Sequence, residues 1–242
     1  MDLKKLQKNW DDFAKINPTW AILTERNDWD IKEFFYTGEG CISNFINHIK
    51  SSGYNLSYGK ALDFGCGIGR LTQALSKYFN NVIGVDISPT MIELANKYNK
   101  YEKKCLYMVN VDKSLSKFND NSFDFIISYI TLQHMQPKYA TKYILEFLRI
   151  LAKGGILIFQ LPSKIVLYNL RNFIINYLPD SVLKVYRTIR NYNNTSPRME
   201  MYMIKEKKIL NILKANNAKI VDIVKDTSAG NEYVSLTYFV TK

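Results

Sequence analysis

The segment ALDFGCGIGR, residues 61–70, sets one acid and three glycines in a pattern able to hold a small polar ligand. An apolar run ends at Asp63, and glycines follow at Gly65, Gly67 and Gly69. Glycine has no Cβ and tolerates positive φ, so a main chain built this way can pass close beside a ligand. A second apolar run, NVIGVDIS, contains Asp86, about 20 residues after the first glycine; an acid at such a strand end commonly accepts hydrogen bonds from ribose hydroxyls. The spacing argues against a dinucleotide, because G-x-G-x-x-G would need glycine where Arg70 stands. No G-x-x-x-x-G-K-[ST] is present to cradle a nucleoside triphosphate. His134 follows the apolar run NSFDFIISYITLQ, and imidazole titrates near neutral pH, as a general base should.

Regular alternation supplies the elements that must position these groups. Strands are predicted near 60–65, 82–86, 105–110, 123–129 and 155–161, and helices near 69–79, 89–100 and 138–151. Such βα alternation implies a parallel sheet with helices on both faces. Pro89 and Pro137 stand at helix starts, where a missing N–H costs nothing. Gly154-Gly155 is expected to break the third helix before the fifth strand. The run KEKKILNILKANNAKIVDIVKD predicts a further helix and strand, and YVSLTYFVTK a final strand.

Residues 61–72 resemble the first motif, hhDxGCGxGxxT, of class I S-adenosylmethionine (AdoMet) methyltransferases, down to Thr72. Asp86 in GVDIS, the NVD ending in Asp112, NSFDFIISYITLQH and LRILAKGGILIFQ resemble further landmarks of that family, in order, over roughly residues 58–161. The resemblance implies a Rossmann-like, doubly wound α/β sheet of seven strands, with the last strand inserted antiparallel. It implies AdoMet as cofactor and S-adenosylhomocysteine (AdoHcy) as product. It also implies the donor contacts: Asp86 on the ribose, Gly65, Cys66, Gly67 and Gly69 beside the methionine tail, and Asp63 orienting the tail ammonium. Val111 and Asp112 would serve the adenine amine, Ile87 and Met91 would sandwich the ring, and Ser128 and Tyr129 would line the pocket. His134 falls near where the acceptor pocket of the family opens and is the candidate catalytic base. His48, on a predicted amphipathic helix, is expected to be structural. Arg70 is expected either to meet an acceptor anion or the tail carboxylate, or to face solvent.

Residues 1–57 read as an N-terminal helical lid, with helices near 2–15 and 39–52 and a turn at Asn17-Pro18. The methyltransferase domain then spans 58–242 and carries a helical insertion over 162–204, ahead of the C-terminal hairpin. The lid is dense in aromatics, including Trp10, Phe13, Trp20, Trp29, Phe34, Phe35 and Tyr36, which suit burial against the core or walls of an acceptor pocket. Tyr36, with Lys164, Tyr192, Arg198 and Tyr202 of the insertion, are the acceptor-site candidates.

The 242 residues carry 33 basic and 22 acidic side chains, a net charge of +11, with no dense basic tract. A generally basic surface is therefore expected rather than a nucleic-acid groove. Three cysteines at unpaired spacings, Cys41, Cys66 and Cys105, suit reduced thiols in a cytoplasmic compartment. With no C-x-x-C and two distant histidines, a metal site is not expected. No apolar run reaches the roughly 20 residues needed to span a bilayer, and a monomer or homodimer is expected.

The segment after the fourth strand reads SYIT, not the [DN]-P-P-[YF] of exocyclic-amine methyltransferases, and no Pro-Cys nucleophile for cytosine C5 is present. NWDDFAKINPTWAILTERNDWDIKEFFYTG resembles a bacterial subgroup tied to capsule and surface-glycan modification, including O-methyl phosphoramidate groups. That resemblance implies transfer to an oxygen of a small molecule or glycan precursor, a sugar hydroxyl or a phosphoramidate. An RNA or lipid-quinone methyltransferase, and a non-catalytic AdoMet-binding module, stay open as alternatives.

Overall fold

The computed structural model describes residues 2–166 and 197–242. Seven strands form one sheet: β1 (Lys60–Phe64), β2 (Asn81–Asp86), β3 (Cys105–Val109), β4 (Phe123–Ser128), β5 (Leu151–Ile165), β6 (Lys219–Asp226) and β7 (Tyr233–Thr241). Their order is β3-β2-β1-β4-β5-β7-β6. Strands β1 to β5 run parallel, and β7 enters antiparallel between β5 and β6, as the family resemblance implied. Order reverses at β1, from which β2 and β4 depart on either side. A crevice opens there at the carboxyl ends of the strands, where open α/β sheets bind ligands.

Period-two alternation decides what each face buries. Leu62, Ile126, Leu157 and Phe159 face one side, packed on Tyr143, Ile144 and Phe147 of α6 (Pro137–Ile150) and Ile209 and Leu213 of α7 (Glu206–Ala215). Ala61, Val82, Phe125, Ile127 and Ile158 face the other, packed on Ile42, Ile46 and Ile49 of α3 (Ile31–Ser51) and Leu71 and Leu75 of α4 (Arg70–Leu75). Each fully buried Leu, Ile or Phe contributes roughly 1.5–3 kcal/mol, so this double burial is what holds the strand tips in place.

The segment expected as a lid divides in two. Helices α1 (Leu3–Ile16) and α2 (Pro18–Ile22) cover the strand tips, with Phe13, Ala14 and Ala21 buried against Ile68 and Met91. Helix α3 instead belongs to the sheet core. It begins at Ile31, earlier than the periodicity indicated, because the Asp30 carboxylate caps it by accepting from the N–H groups of Lys32 (2.9 Å) and Glu33 (3.0 Å). Asp11 latches α1 to α5 (Pro89–Tyr98), accepting from the Ser88 hydroxyl and the Thr90 N–H, each at 2.9 Å.

Three local expectations are corrected. Helix α4 stops at Leu75 rather than near 79; the Ser76 hydroxyl donates back to the Gln73 carbonyl at 2.7 Å, a bond that competes with helix continuation. Gly154-Gly155 does not break a helix, since α6 ends at Ile150 and the pair lies within β5. Gly154 takes φ +73° while its N–H donates to the Lys242 carbonyl at 3.0 Å. The start of the 162–204 insertion is strand, because Pro162, Lys164 and Ile165 continue β5 opposite Tyr233–Ser235. Residues 197–204 have no helix, and the rest of the insertion lies outside the described residues.

Candidate functional site

A cavity of about 810 Å³, counting its opening to solvent, lies over the carboxyl ends of β1, β2 and β4. Its floor is the glycine turn. Gly65, Gly67 and Gly69 take φ of +81°, +52° and +88°. A Cβ at Gly65 would overlap the Thr131 side chain, and one at Gly67 would lie 2.5 Å from Cδ1 of Ile22. Both positions thus need glycine for conformation and for space. The Gly65 and Cys66 N–H groups donate to the Val85 carbonyl at 2.7 and 3.1 Å, tying the turn to β2.

Asp86 is held between two main-chain donors. The Gly67 N–H donates to its Oδ2 and the Ser88 N–H to its Oδ1, each at 2.9 Å. Burial raises its pKa, against the lowering pull of those N–H groups. One acceptor site per oxygen is used this way; a carboxylate has about four. The remainder face a cavity also lined by Ile87 and Met91.

Asp63 does not reach this cavity. It is 2% exposed beneath the turn, where it accepts the Thr72 hydroxyl at 2.7 Å, and burial lifts its pKa to about 6. It braces β1 against α4 rather than meeting a ligand. Cys66 is likewise buried under the turn, with Sγ 3.6 Å from the Gly67 carbonyl. Gly69 begins α4, and its N–H closes the turn onto the Cys66 carbonyl at 2.9 Å. Ser128 is fully buried and its hydroxyl has no partner among the described residues. None of these four lines the cavity.

The adenine-amine expectation also shifts. Val111 is 47% exposed, Asp112 is exposed, and neither lines the cavity. Strand β3 ends at Val109, and the chain turns away after Asn110. Asn110 lines the cavity in their place, beside Tyr143, whose hydroxyl donates to the Asp112 carbonyl. The Asn110 amide N–H2 donates to that hydroxyl at 3.2 Å. Asn110 opens the NVD run, but only the end of β3 decides which of its residues faces inward.

The far wall joins distant segments. Tyr129, Ile130, Thr131 and His134 follow β4, Arg70 begins α4, and Leu3, Leu6, Trp10 and Ile22 come from the lid. Ile130 takes φ +57°, a strained value for a β-branched residue, costing of order 1–3 kcal/mol. His134 is 5% exposed, and burial pulls its pKa down to about 4. Its Nδ1–H donates to the Glu200 carbonyl at 2.9 Å, which leaves Nε2 as the acceptor facing the Gln133 amide N–H at 3.2 Å. The Trp10 ring meets the imidazole edge-on at 5.1 Å.

The chain around Glu200 is a strap. Arg198 exchanges two hydrogen bonds with the Asn9 side chain (2.6 and 2.7 Å), and the Tyr202 N–H donates to the Gln133 carbonyl at 2.7 Å. Arg198 and Tyr202 therefore hold His134 and the lid through main chain, and neither lines the cavity. Tyr36 is 71% exposed on α3 and Lys164 is exposed on β5, so neither is an acceptor contact here. Tyr192 lies outside the described residues. His48 pairs with Asp222 at 2.8 Å, away from the cavity.

Residues 62–159 match the sequence family described as a methyltransferase domain. The chain is 28% identical over 163 residues to the ubiquinone biosynthesis O-methyltransferase of Pelagibacter ubique, a stretch covering 65% of each chain. It is 34% identical over 97 residues to phosphoethanolamine N-methyltransferase 3 of Arabidopsis thaliana, which is 40% of this chain and 19% of that one. The chain spans less than two thirds of the length of the curated relatives it matches. Among solved structures, magnesium protoporphyrin IX methyltransferase from Synechocystis, determined with bound SAH, superposes over 100% of both chains with a TM-score of 0.64 at 18% identity.

Proposed function

We propose that this chain, a class I methyltransferase by its fold and by the methyltransferase domain at residues 62–159, moves a methyl group from AdoMet to an oxygen of a small-molecule or glycan-precursor acceptor. The observation that carries this reading is the Asp86 carboxylate, fixed by the N–H groups of Gly67 and Ser88 at the edge of the cavity. Such an acid, held by its own turn, is set to accept vicinal ribose hydroxyls without reorganising, and bonds to a charged acceptor are roughly twice as strong as neutral ones. AdoMet, when bound, supplies an electrophilic methyl group on a sulfonium and leaves as AdoHcy.

The residues present fit that cofactor. Gly65 and Gly67 leave main chain open to the methionine tail, Ile87 and Met91 offer apolar faces for a ring, and Asn110 supplies a polar edge beside them. Tyr129 continues the wall at the tip of β4. Leu3, Leu6 and Trp10 of the lid exclude water, so that alignment of nucleophile and methyl group can supply much of the rate; positioning of this kind is worth roughly 7–11 kcal/mol of barrier. For a hydroxyl acceptor a proton must leave, and His134, neutral in its Nδ1–H form, can take it only once its Nε2 releases the Gln133 N–H. The lid sequence supports a glycan or phosphoramidate acceptor through its likeness to the capsule-associated subgroup. The apolar walls, with the Pelagibacter relative, favour as second reading a quinone-like acceptor. The free thiols of Cys41, Cys66 and Cys105 suit a cytoplasmic setting.

Titration calorimetry with AdoHcy tests the donor reading directly. Binding is expected, and a chain that binds neither AdoMet nor AdoHcy refutes it. Mass analysis of a panel of sugars, glycan precursors and quinols after incubation with AdoMet tests the acceptor class, and methyl appearing only in RNA overturns it.

A further inference from the structure

Arg70 carries a buried positive charge with no salt-bridge partner among the described residues. It is 6% exposed and lines the cavity. Its Nη1 makes one long contact to the Thr37 hydroxyl, 3.3 Å, the Cys41 thiol lies within its reach, and its Nε–H is buried with no partner among the described residues. The carboxylates that act on it, Asp63 and Glu25, form no ion pair with it among the described residues. Asp63 is itself engaged by Thr72. The stem of the side chain is aimed by packing: a Cβ at Gly38 of α3 would lie 2.9 Å from Cγ of Arg70. A buried, unpaired guanidinium is costly to a fold unless something else meets it. The cavity it lines is walled largely by apolar side chains, Ile22, Ile130 and Met135 among them.

His134 adds a second observation. Its Nδ1–H is held by the strap and its Nε2 lone pair by Gln133, so the one imidazole of the cavity is poorly placed to collect a proton. Both facts suit a nucleophile that has no proton to lose.

We propose that Arg70 receives an oxyanion of the methyl acceptor, so that the acceptor is an acid with an apolar body and enters already ionised. This rests on the donor reading above. The acceptor oxygen forms its bond to the methyl carbon as the carbon–sulfur bond breaks, and the pair returns to sulfur. The acceptor loses one negative charge, the sulfonium its positive charge, and no proton is released. A carboxylate and a phosphorus oxyanion share this chemistry.

The test uses the full chain saturated with AdoHcy, with phenylacetate and phenylphosphonate as anionic probes and phenylacetamide as neutral control, measured by calorimetry. Wild type is expected to bind at least one anion tenfold or more tighter than the amide, and the tighter of the two names the acid class. Arg70→Met should abolish that preference while AdoHcy affinity changes less than threefold. Arg70→Lys should keep part of it. Without ligand, Arg70→Met should melt at or above wild type, because it removes an uncompensated charge; a guanidinium that only braced the fold would lower the melting temperature in both variants. A preference surviving in Arg70→Met, no preference in wild type, or AdoHcy affinity falling tenfold in Arg70→Met overturns the proposal, the last by assigning Arg70 to the donor tail. Wild type that prefers the anions yet ignores AdoHcy removes the donor reading and with it the methyl-acceptor role, leaving only an anion site at Arg70.

Discussion

The two ends of the cavity are built in different ways. The end at Asp86 is assembled from a short stretch of chain: glycine turn, β2 and the start of α5 make each other's hydrogen bonds through main-chain N–H groups. The end at His134 and Arg70 is assembled from the lid, α3, the tip of β4 and the strap, joined by side chains that are far apart in sequence. The polar groups of the first end answer to local backbone. The second depends on several elements docking together, so specificity can change there without disturbing the first.

The largest expected effect tests the local end. Asp86→Ala removes the acceptor for the ribose and strands the Gly67 and Ser88 N–H groups, so AdoHcy affinity should fall by about a hundredfold, roughly 3 kcal/mol. Unchanged calorimetric affinity removes Asp86 from the ribose role.

A pH comparison separates the ends by sign. Burial raises Asp63 to about 6, so its protonated form favours folding and stability from this group falls as pH rises from about 4 to 6. Burial lowers His134 to about 4, so folding excludes a proton and stability from this group rises as pH climbs from about 4 to 6.5. Each contributes up to about 3 kcal/mol. Relative to wild type, Asp63→Asn should lose stability on acidification and His134→Gln should gain it, read by denaturant melts across that window. Slopes of the same sign refute the assignment. In the same His134→Gln protein, turnover within about threefold of wild type is expected for an ionised acceptor, whereas loss of a base typically costs ~10²-fold or more.

Gly65→Ala should cost about 2 kcal/mol, since the position combines φ +81° with contact to Thr131; a thermal melt checks it, and a neutral result places the turn under less constraint than its geometry indicates. Asp11→Asn weakens the latch on Ser88 and Thr90, now strengthened by Lys15 at 2.7 Å, and should cost about 1 kcal/mol of lid docking. Faster proteolysis confined to residues 1–22 is the expected readout. Ile130→Gly is the smallest change: relief of φ +57° should raise the melting temperature or leave it level, by about 0.5–1 kcal/mol, while anion-probe binding weakens for lack of the wall.

Legibility in sequence followed the same division. Gly65, Gly67, Asp86, Ile87, Met91, Tyr129 and His134, all named from the sequence, line the cavity. Asp63, Cys66 and Ser128 belong to the same motifs but are buried away from the cavity, and Gly69 caps α4, because strand alternation and the turn's hydrogen bonds fix them there. Val111 and Asp112 missed by one and two residues, since inward placement depends on where β3 stops pairing with β2. Tyr36 reads as a pocket aromatic by composition alone, yet the face of α3 that packs on the sheet is fixed by Ile42, Ile46 and Ile49, which turns Tyr36 to solvent.

The chain alone determined the alternating βα plan of the central sheet, the glycine turn and the acid at the end of β2, because hydrophobic period, turn chemistry and strand-end position are properties of neighbouring residues. Only tertiary structure decided that Arg70 is buried without a carboxylate, that His134 is fixed in one tautomer by the strap, and that Trp10 closes over it. Those outcomes follow from which distant surfaces exclude water from one another, and no local pattern encodes that.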